Sequence, residues 1–147
     1  PDFYRAFSIF RYNGFMKIIL FTLLFIFSVQ SYADWSLIYK DPTIKSEYFL
    51  NLNNYKRNQD KVKAWTLENF LELEKINALE YRSVKSYVEF DCKASQLRIL
   101  AHSLYEENMG KGKTVYSKGS PLEWMKINKN TVFSGYSQVL CAESNQE

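Results

Sequence analysis

Three side chains of this sequence could do covalent or metal chemistry: Cys92, Cys141 and His102, which are its only cysteines and its only histidine. Two thiols can form a disulfide, act as a redox pair or bind a metal ion. The redox and metal roles are weakly supported, because no C-x-x-C occurs and a single histidine leaves few ligands for zinc. The economical interpretation is one disulfide between Cys92 and Cys141, and we expect no metal and no cofactor.

His102 would have to act as the base of any serine or cysteine hydrolase. It lies between Leu100 and Leu104 in an alternating segment, and no serine stands in a G-x-S-x-G sequence. A packed or surface histidine is the simpler interpretation. The sequence therefore favours a protein that is not an enzyme.

Two further patterns imitate catalytic motifs. Residues 110–114, GKGKT, end as a phosphate-binding loop does, but that loop needs a glycine where Glu107 stands and a helix where a strand is expected. The neighbouring carboxylates, Glu72 with Glu74 and Glu106 with Glu107, are like the acid pairs of glycosidases only in being close together. We interpret residues 110–114 as a turn and the carboxylates as solvated side chains.

Residues 16–33 predict a secretory signal peptide. A positive start at Met16 is followed by the apolar run 18–29 and by S-Y-A, whose small residues favour cleavage after Ala33. The run is shorter than the roughly 20 residues of a membrane span, although an uncleaved anchor is the alternative. Residues 1–15 are interpreted as translated upstream sequence rather than structure.

Residues 34–143 are predicted to form a single domain, with a tail at residues 144–147. The leader holds three of the 19 basic and one of the 16 acidic residues, so the exported part has 16 basic and 15 acidic residues. This near-neutral balance gives no reason to expect nucleic acid as a partner. Export also takes both thiols into an oxidising compartment, where their disulfide would close a loop of about 50 residues and add about 4 kcal/mol.

Residues 81–105 predict the β-hairpin around which the domain is organised. Residues 84–92 alternate, which places Cys92 on an apolar face, and residues 93–95 turn the chain. The following strand presents Leu97, Ile99, Ala101, Ser103 and Tyr105 on one face and Arg98, Leu100, His102 and Leu104 on the other. Both faces are partly apolar, so the strand is expected to be covered on both sides. A helix over residues 95–107 is the alternative.

Leu100, His102 and Leu104 are the predicted partner-facing residues. A C-terminal helix can cover one sheet face only, so these side chains must meet loops, more sheet or another protein. A self-complementary patch would produce a two-fold dimer. We therefore expect a weak homodimer or a protein-binding face here.

The remaining elements complete an α+β fold. Residues 68–80 have a helix-favouring composition but lose helical spacing at Glu74, which predicts a strand end or one or two helical turns. Asn130 or Thr131 caps a final helix that leads to Cys141. Further strands are predicted at residues 34–39, 47–53, 61–67 and 114–118. The result is an antiparallel sheet of about five to six strands, with the C-terminal helix packed on one face and tied by the disulfide.

The segment YRSVKSYVEFDC, residues 81–92, resembles the surface-adhesin protein E family. The likeness includes A-D-W after the leader, MGKGKTVYS at residues 109–117, Trp124 and a closing helix that ends at Cys141. It covers most of residues 34–141. The resemblance implies a small exported domain in which the Cys92–Cys141 disulfide ties the helix to the sheet. It also implies a dimer and binding to host extracellular-matrix proteins.

One departure from the family concerns location. A lipid anchor needs a cysteine at the cleavage site, and Asp34 stands there. The sequence therefore predicts a periplasmic or secreted protein rather than a surface-anchored one, with no stable membrane span after cleavage. No host-binding residue can be carried over.

Three functions are consistent with these patterns. The favoured one is a non-enzymatic domain that binds a host matrix or envelope protein. The second is a periplasmic structural or stress protein with an endogenous partner, and a hydrolase is the least favoured. A cleft that held His102 with a carboxylate and a serine would revive the hydrolase.

Overall fold

A computed structural model describes residues 35–142, which form an eight-stranded antiparallel sheet and one α-helix. The main strand order is β1-β2-β4-β5-β6-β7, with β3 beside β4 and β8 beside β6. The strands are β1 (Ser36–Asp41), β2 (Ser46–Leu50), β3 (Lys56–Asn58), β4 (Lys61–Ile76), β5 (Leu79–Asp91), β6 (Gln96–Tyr105), β7 (Thr114–Lys118) and β8 (Met125–Lys126). The helix is α1 (Val132–Cys141). The predicted fold class is therefore confirmed. The predicted signal peptide, its cleavage after Ala33 and the tail lie outside the described residues.

The central hairpin is confirmed as β5 and β6, so the helix considered for residues 95–107 is wrong. Its turn places Ser95 at a φ of 51°. Asp91 Oδ1 accepts a hydrogen bond of 2.8 Å from the Ala94 backbone N–H, an arrangement typical of short Asx turns.

The helical alternative for residues 68–80 is also wrong, because β4 runs for 16 residues to Ile76 and turns directly into β5. Asn77 occupies the hairpin turn with a φ of 54°, a conformation that asparagine tolerates. The pairing register with β5 shifts between Asn69 and Glu74, and residues 70–73 have no partner on β5. Pairing with β5 on both sides of this irregularity overrides the helical preference of the sequence. The result is a long two-stranded arm.

A second register shift changes the predicted faces of β6. Tyr87 pairs with Ala101 while Val88 pairs with Ile99, which leaves Leu100 as an extra residue. A bulge of this kind moves every later side chain to the opposite face. His102, opposite Ser86, therefore shares a face with Ile99, and the predicted strict alternation over residues 97–105 is wrong.

The core lies between one sheet face, here called the helix face, and α1. Its fully buried side chains are Leu50, Val62, Ala64, Val88, Phe90, Leu97, Tyr136 and Leu140. Thr131 caps the helix, because its side chain accepts from the Ser134 N–H while the Ser134 side chain accepts from the Thr131 N–H. This capping box confirms one of the two predicted caps.

The end of α1 is held to the sheet in two ways. The Cys92–Cys141 disulfide is present, with Cα atoms 5.7 Å apart, as predicted. The Arg57 guanidinium donates a hydrogen bond to the Leu140 carbonyl, one of the helix-end carbonyls that lack a partner within the helix.

Candidate functional site

The sheet face opposite α1 carries a row of aromatic and charged side chains, and we call it the open face. Side chains alternate along a strand, so Trp65 and Tyr87 point away from the core residues beside them. They are direct neighbours across β4 and β5. Their rings stack with centroids 5.0 Å apart, and both remain partly accessible.

Glu89 anchors a charged cluster on the open face. Although it is only 4% exposed, its carboxylate accepts from Arg98 Nε at 2.7 Å and lies 3.5 Å from Lys63 Nζ. The Arg98 guanidinium lies 4.5 Å from the centroid of the Trp124 ring, and Lys61 Nζ lies 5.1 Å from it. Burial opposes ionisation of Glu89, but Arg98 and Lys63 outweigh it and hold the pKa of the carboxyl below its usual value.

Lys85 forms the second cationic position of the open face. Its Nζ lies 5.1 Å from the Tyr105 ring centroid and 5.9 Å from that of Trp35, and it donates to the Gly110 carbonyl at 3.2 Å. Burial lowers the pKa of Lys85. The face thus combines aromatic rings with cations held against them, which is favourable electrostatically.

A polar network positions the turn next to Lys85. Asn69 is buried, and its Oδ1 accepts from the Met109 backbone N–H at 2.8 Å and from Asn108 Nδ2 at 3.0 Å. Ser83 Oγ accepts from the Gly110 N–H at 2.8 Å. The GKGKT segment is therefore a turn followed by β7, as predicted, and its contacts are structural.

A cleft of about 470 Å³ lies on the helix face, between α1 and the sheet. Six of its lining residues are apolar: Val84, Val88, Ile99, Leu122, Val132 and Phe133. The other six carry polar groups: Tyr48, Thr66, Glu68, Ser86, His102 and Tyr136. The bulge at Leu100 is what turns His102 toward this cleft.

The cleft brings together His102, Glu68 and Ser86, the residue types that a hydrolase would need. No hydrogen bond or ion pair joins His102 to Ser86 or to Glu68 in residues 35–142. The imidazole instead packs on the Tyr116 ring, with centroids 5.6 Å apart. A serine nucleophile requires a hydrogen-bonded base, so this arrangement does not activate Ser86.

The carboxyl of Glu68 has an unusual setting. Burial raises its pKa, the neighbouring Tyr48 hydroxyl partly opposes that shift, and Glu74 adds to it. Burial likewise raises the pKa of Tyr48 to about 12, and the pKa of Tyr136 is raised for the same reason. The cleft therefore favours the protonated, neutral forms of its carboxyl and phenol groups.

The three predicted partner-facing residues do not form one exposed patch. Leu104 is only 8% exposed, His102 lines the cleft and Leu100 is half-buried at the bulge. Eleven large apolar side chains of the described residues are exposed, and three of them lie within six residues of the β4–β5 arm, where Leu71, Leu73 and Ile76 are 57%, 40% and 50% exposed. Sequence reasoning missed this patch because it predicted a strand over residues 61–67 followed only by a strand end or one or two helical turns, and not a strand that continues to Ile76.

Two features are absent from the described residues: a metal site and a membrane-spanning helix. In residues 35–142, no group of three or more histidine, cysteine or carboxylate side chains could hold a metal ion. In the same range, no helix combines the length and apolar character that crossing a bilayer requires.

Comparison with known proteins places the fold. A family model described as surface-adhesin protein E matches residues 35–142. One crystal form of Haemophilus influenzae protein E aligns with a TM-score of 0.57 and 19% identity over 67% of this chain and 83% of that one. A second structure of Haemophilus influenzae protein E gives 0.57 and 18%, over 78% and 89%. Protein E from non-typeable Haemophilus influenzae gives 0.52 and 16%, over 78% and 79%. Because these identities are below 20%, the alignments show that the fold is shared and no more than that. No curated protein matches the chain.

Proposed function

Because this chain belongs to the surface-adhesin protein E family, we propose that it is an exported, non-enzymatic adhesin domain that binds a host or envelope protein through the open face. The observation that carries the choice of surface is its composition. The open face carries six side chains of the types that dominate the binding energy of protein interfaces. They are Trp35, Trp65, Trp124, Tyr87, Tyr105 and Arg98.

The charge of the open face indicates the chemistry of the partner. Lys61, Lys63, Lys85 and Arg98 are cationic, against Glu89, which is enclosed between Arg98 and Lys63, and Asp91, which lies opposite Lys61. An acidic segment of a protein would complement this surface, and complementary charge raises the association rate and selects the partner.

A second contact, between two copies of the chain, is favoured by the β4–β5 arm. Leu71, Leu73 and Ile76 expose apolar surface within six residues of one strand, and exposed apolar patches mark interaction sites. We propose this arm, rather than the segment from Leu100 to Leu104, as the homodimer contact, since Leu104 is buried.

The alternative function is a periplasmic structural or stress protein with an endogenous partner. Asp34 follows the predicted cleavage site where a lipid anchor would need a cysteine, which supports a periplasmic or secreted form. Cell fractionation separates the two functions. Recovery of the protein at the surface or in the medium supports adhesion, and strict periplasmic retention contradicts it.

Binding can be tested by surface plasmon resonance against a panel of purified extracellular-matrix proteins. We expect Tyr87→Ser with Trp124→Ser to abolish a measured interaction. Tyr116→Ser is the matched control, because Tyr116 is 40% exposed and pairs with Leu104 on the helix-face side. Equal binding by both variants would remove the open face from the proposal.

A further inference from the structure

The cleft between α1 and the sheet has the size and composition of a small-molecule site. Its volume of about 470 Å³ falls within the range of ligand pockets, which combine apolar walls with a few convergent polar groups. It lies on the opposite side of the sheet from the open face, so a ligand bound there would not contact a protein bound at the open face.

Glu68 is a carboxylate of this wall that lacks a counter-ion. No ion pair of residues 35–142 includes it, and the charged side chain acting on it, Glu74, is acidic as well. Glu89, on the open face, is the contrast, since it has both Arg98 and Lys63. A partly buried carboxylate without a cation is unfavourable, so a bound cation would stabilise Glu68.

Aromatic side chains surround the carboxylate from both walls. Tyr48 pairs directly with Glu68 across β2 and β4, while α1 contributes Tyr136 and Phe133, whose rings meet edge to face with centroids 6.3 Å apart. Aromatic faces attract ammonium groups, most strongly where water is excluded. The hydroxyls of Tyr48 and Tyr136 can also accept hydrogen bonds from such a group.

The remaining wall selects against other ligand classes. Among the residues that the structure describes, no lysine or arginine lines the cleft, and the one basic group there, His102, packs on Tyr116. An anion would meet Glu68 without compensation. Val132 and Ile99 offer apolar surface near the polar groups, which suits a ligand that has both an ammonium and a hydrocarbon part.

We propose that the cleft binds a small organic ammonium ion carrying an apolar group, with Glu68 as its counter-ion and Tyr48, Phe133 and Tyr136 around the charge. The apolar group of the ligand packs between α1 and β6. This assigns a ligand site to the helix face in addition to the protein-binding surface proposed for the open face.

Three probes of similar shape test the proposal: 2-phenylethylammonium chloride, neutral 2-phenylethanol and sodium phenylacetate. Each is titrated into the purified protein by isothermal calorimetry and by NMR. We expect the ammonium ion to bind at least about tenfold more tightly than the alcohol, the range of a charged hydrogen bond, and phenylacetate to bind most weakly. The resonances of Tyr136 and His102 should shift.

Two variants test whether Glu68 is the carboxylate that gives the preference for the ammonium ion. Glu68→Gln should remove the preference for the ammonium ion over the alcohol. Glu72→Gln, an exposed carboxyl paired with Lys45 outside the cleft, should retain it. If Glu68→Gln does not fold, the proposal is decided by the affinity of Glu68→Asp for the ammonium ion and by the relative affinities of the wild type for the three probes. Absence of saturable binding, equal binding of phenylacetate, or a folded Glu68→Gln protein with unchanged preference would each overturn the proposal.

Discussion

Glu89 and Arg98 face each other across β5 and β6, and their side chains form the most buried ion pair of the described residues. Arg98 Nη2 lies 2.6 Å from Glu89 Oε2, with Nε at 2.7 Å from the same oxygen. The pair connects the sheet to the Trp124 ring, so it bears on both stability and the open face.

The lowered pKa of Glu89 predicts a pH dependence of stability. A carboxyl with a folded-state pKa below its unfolded value stabilises the protein above the unfolded pKa of about 4.3. That contribution is lost as the pH falls through the lower, folded value. We expect Glu89→Gln to reduce the free energy of unfolding at pH 7 by about 1 to 3 kcal/mol and to flatten its decrease below pH 4. Urea unfolding at several pH values measures both.

Glu72→Gln is the matched control for this experiment, because Glu72 and Lys45 form an exposed pair. Exposed pairs contribute about 0 to 1 kcal/mol. A loss of stability at pH 7 that is as large in Glu72→Gln as in Glu89→Gln would contradict the special role of the buried carboxylate.

The disulfide provides a second prediction. Cys92 and Cys141 are 49 positions apart in the sequence, and closing a loop of this size restricts the unfolded chain by about 4 kcal/mol. We expect Cys92→Ser with Cys141→Ser to lower the free energy of unfolding by about that amount. Reductant should destabilise the wild type alone. Two free thiols in non-reducing mass mapping of the wild type would refute the bond.

Much of the sheet can be predicted from local sequence because its signals are local. The alternation of residues 84–92, the polar turn after Asp91 and the cap at Thr131 each depend on neighbours in the chain. The disulfide needed only the expectation of export and an even number of cysteines. All of these features are present in the structure.

The features that failed depend on distant partners. A bulge at Leu100 exists only relative to Tyr87 and Val88 on β5, and nothing within β6 reveals it. The helix-favouring residues 68–76 became strand because β5 pairs with both ends of this segment, at residues 68–69 and 74–76. The cleft joins Tyr48, Glu68 and Tyr136, and their proximity depends on where α1 packs.

Cleavage after Ala33 remains a prediction, and it concerns residues that the structure does not describe. Signal peptidases require small residues one and three positions before the cut, which Ala33 and Ser31 provide. Intact-mass measurement of exported protein should correspond to a chain beginning Asp34-Trp35. Ala33→Lys should retain the leader. Exported wild-type material that still contains Met16 would show that the leader hypothesis is wrong.

The turn beside Lys85 carries the last prediction. Gly110 has a φ of +65°, and a Cβ added there would lie 1.9 Å from Lys85 Cε. The left-handed backbone favours glycine, and the clash would displace Lys85 from Tyr105. We expect Gly110→Ala to lower the free energy of unfolding by about 1 kcal/mol or more and to weaken any binding at the open face.

Gly119→Ala is the natural control, because a Cβ at Gly119 would meet nothing within 4 Å. Urea unfolding of both variants separates the backbone effect from the general cost of changing a glycine. Lys85→Met, compared in the same binding assay, separates loss of the cation from loss of the turn. If Gly110→Ala were as stable as Gly119→Ala and bound equally well, neither the strained turn nor the position of Lys85 would matter to this surface.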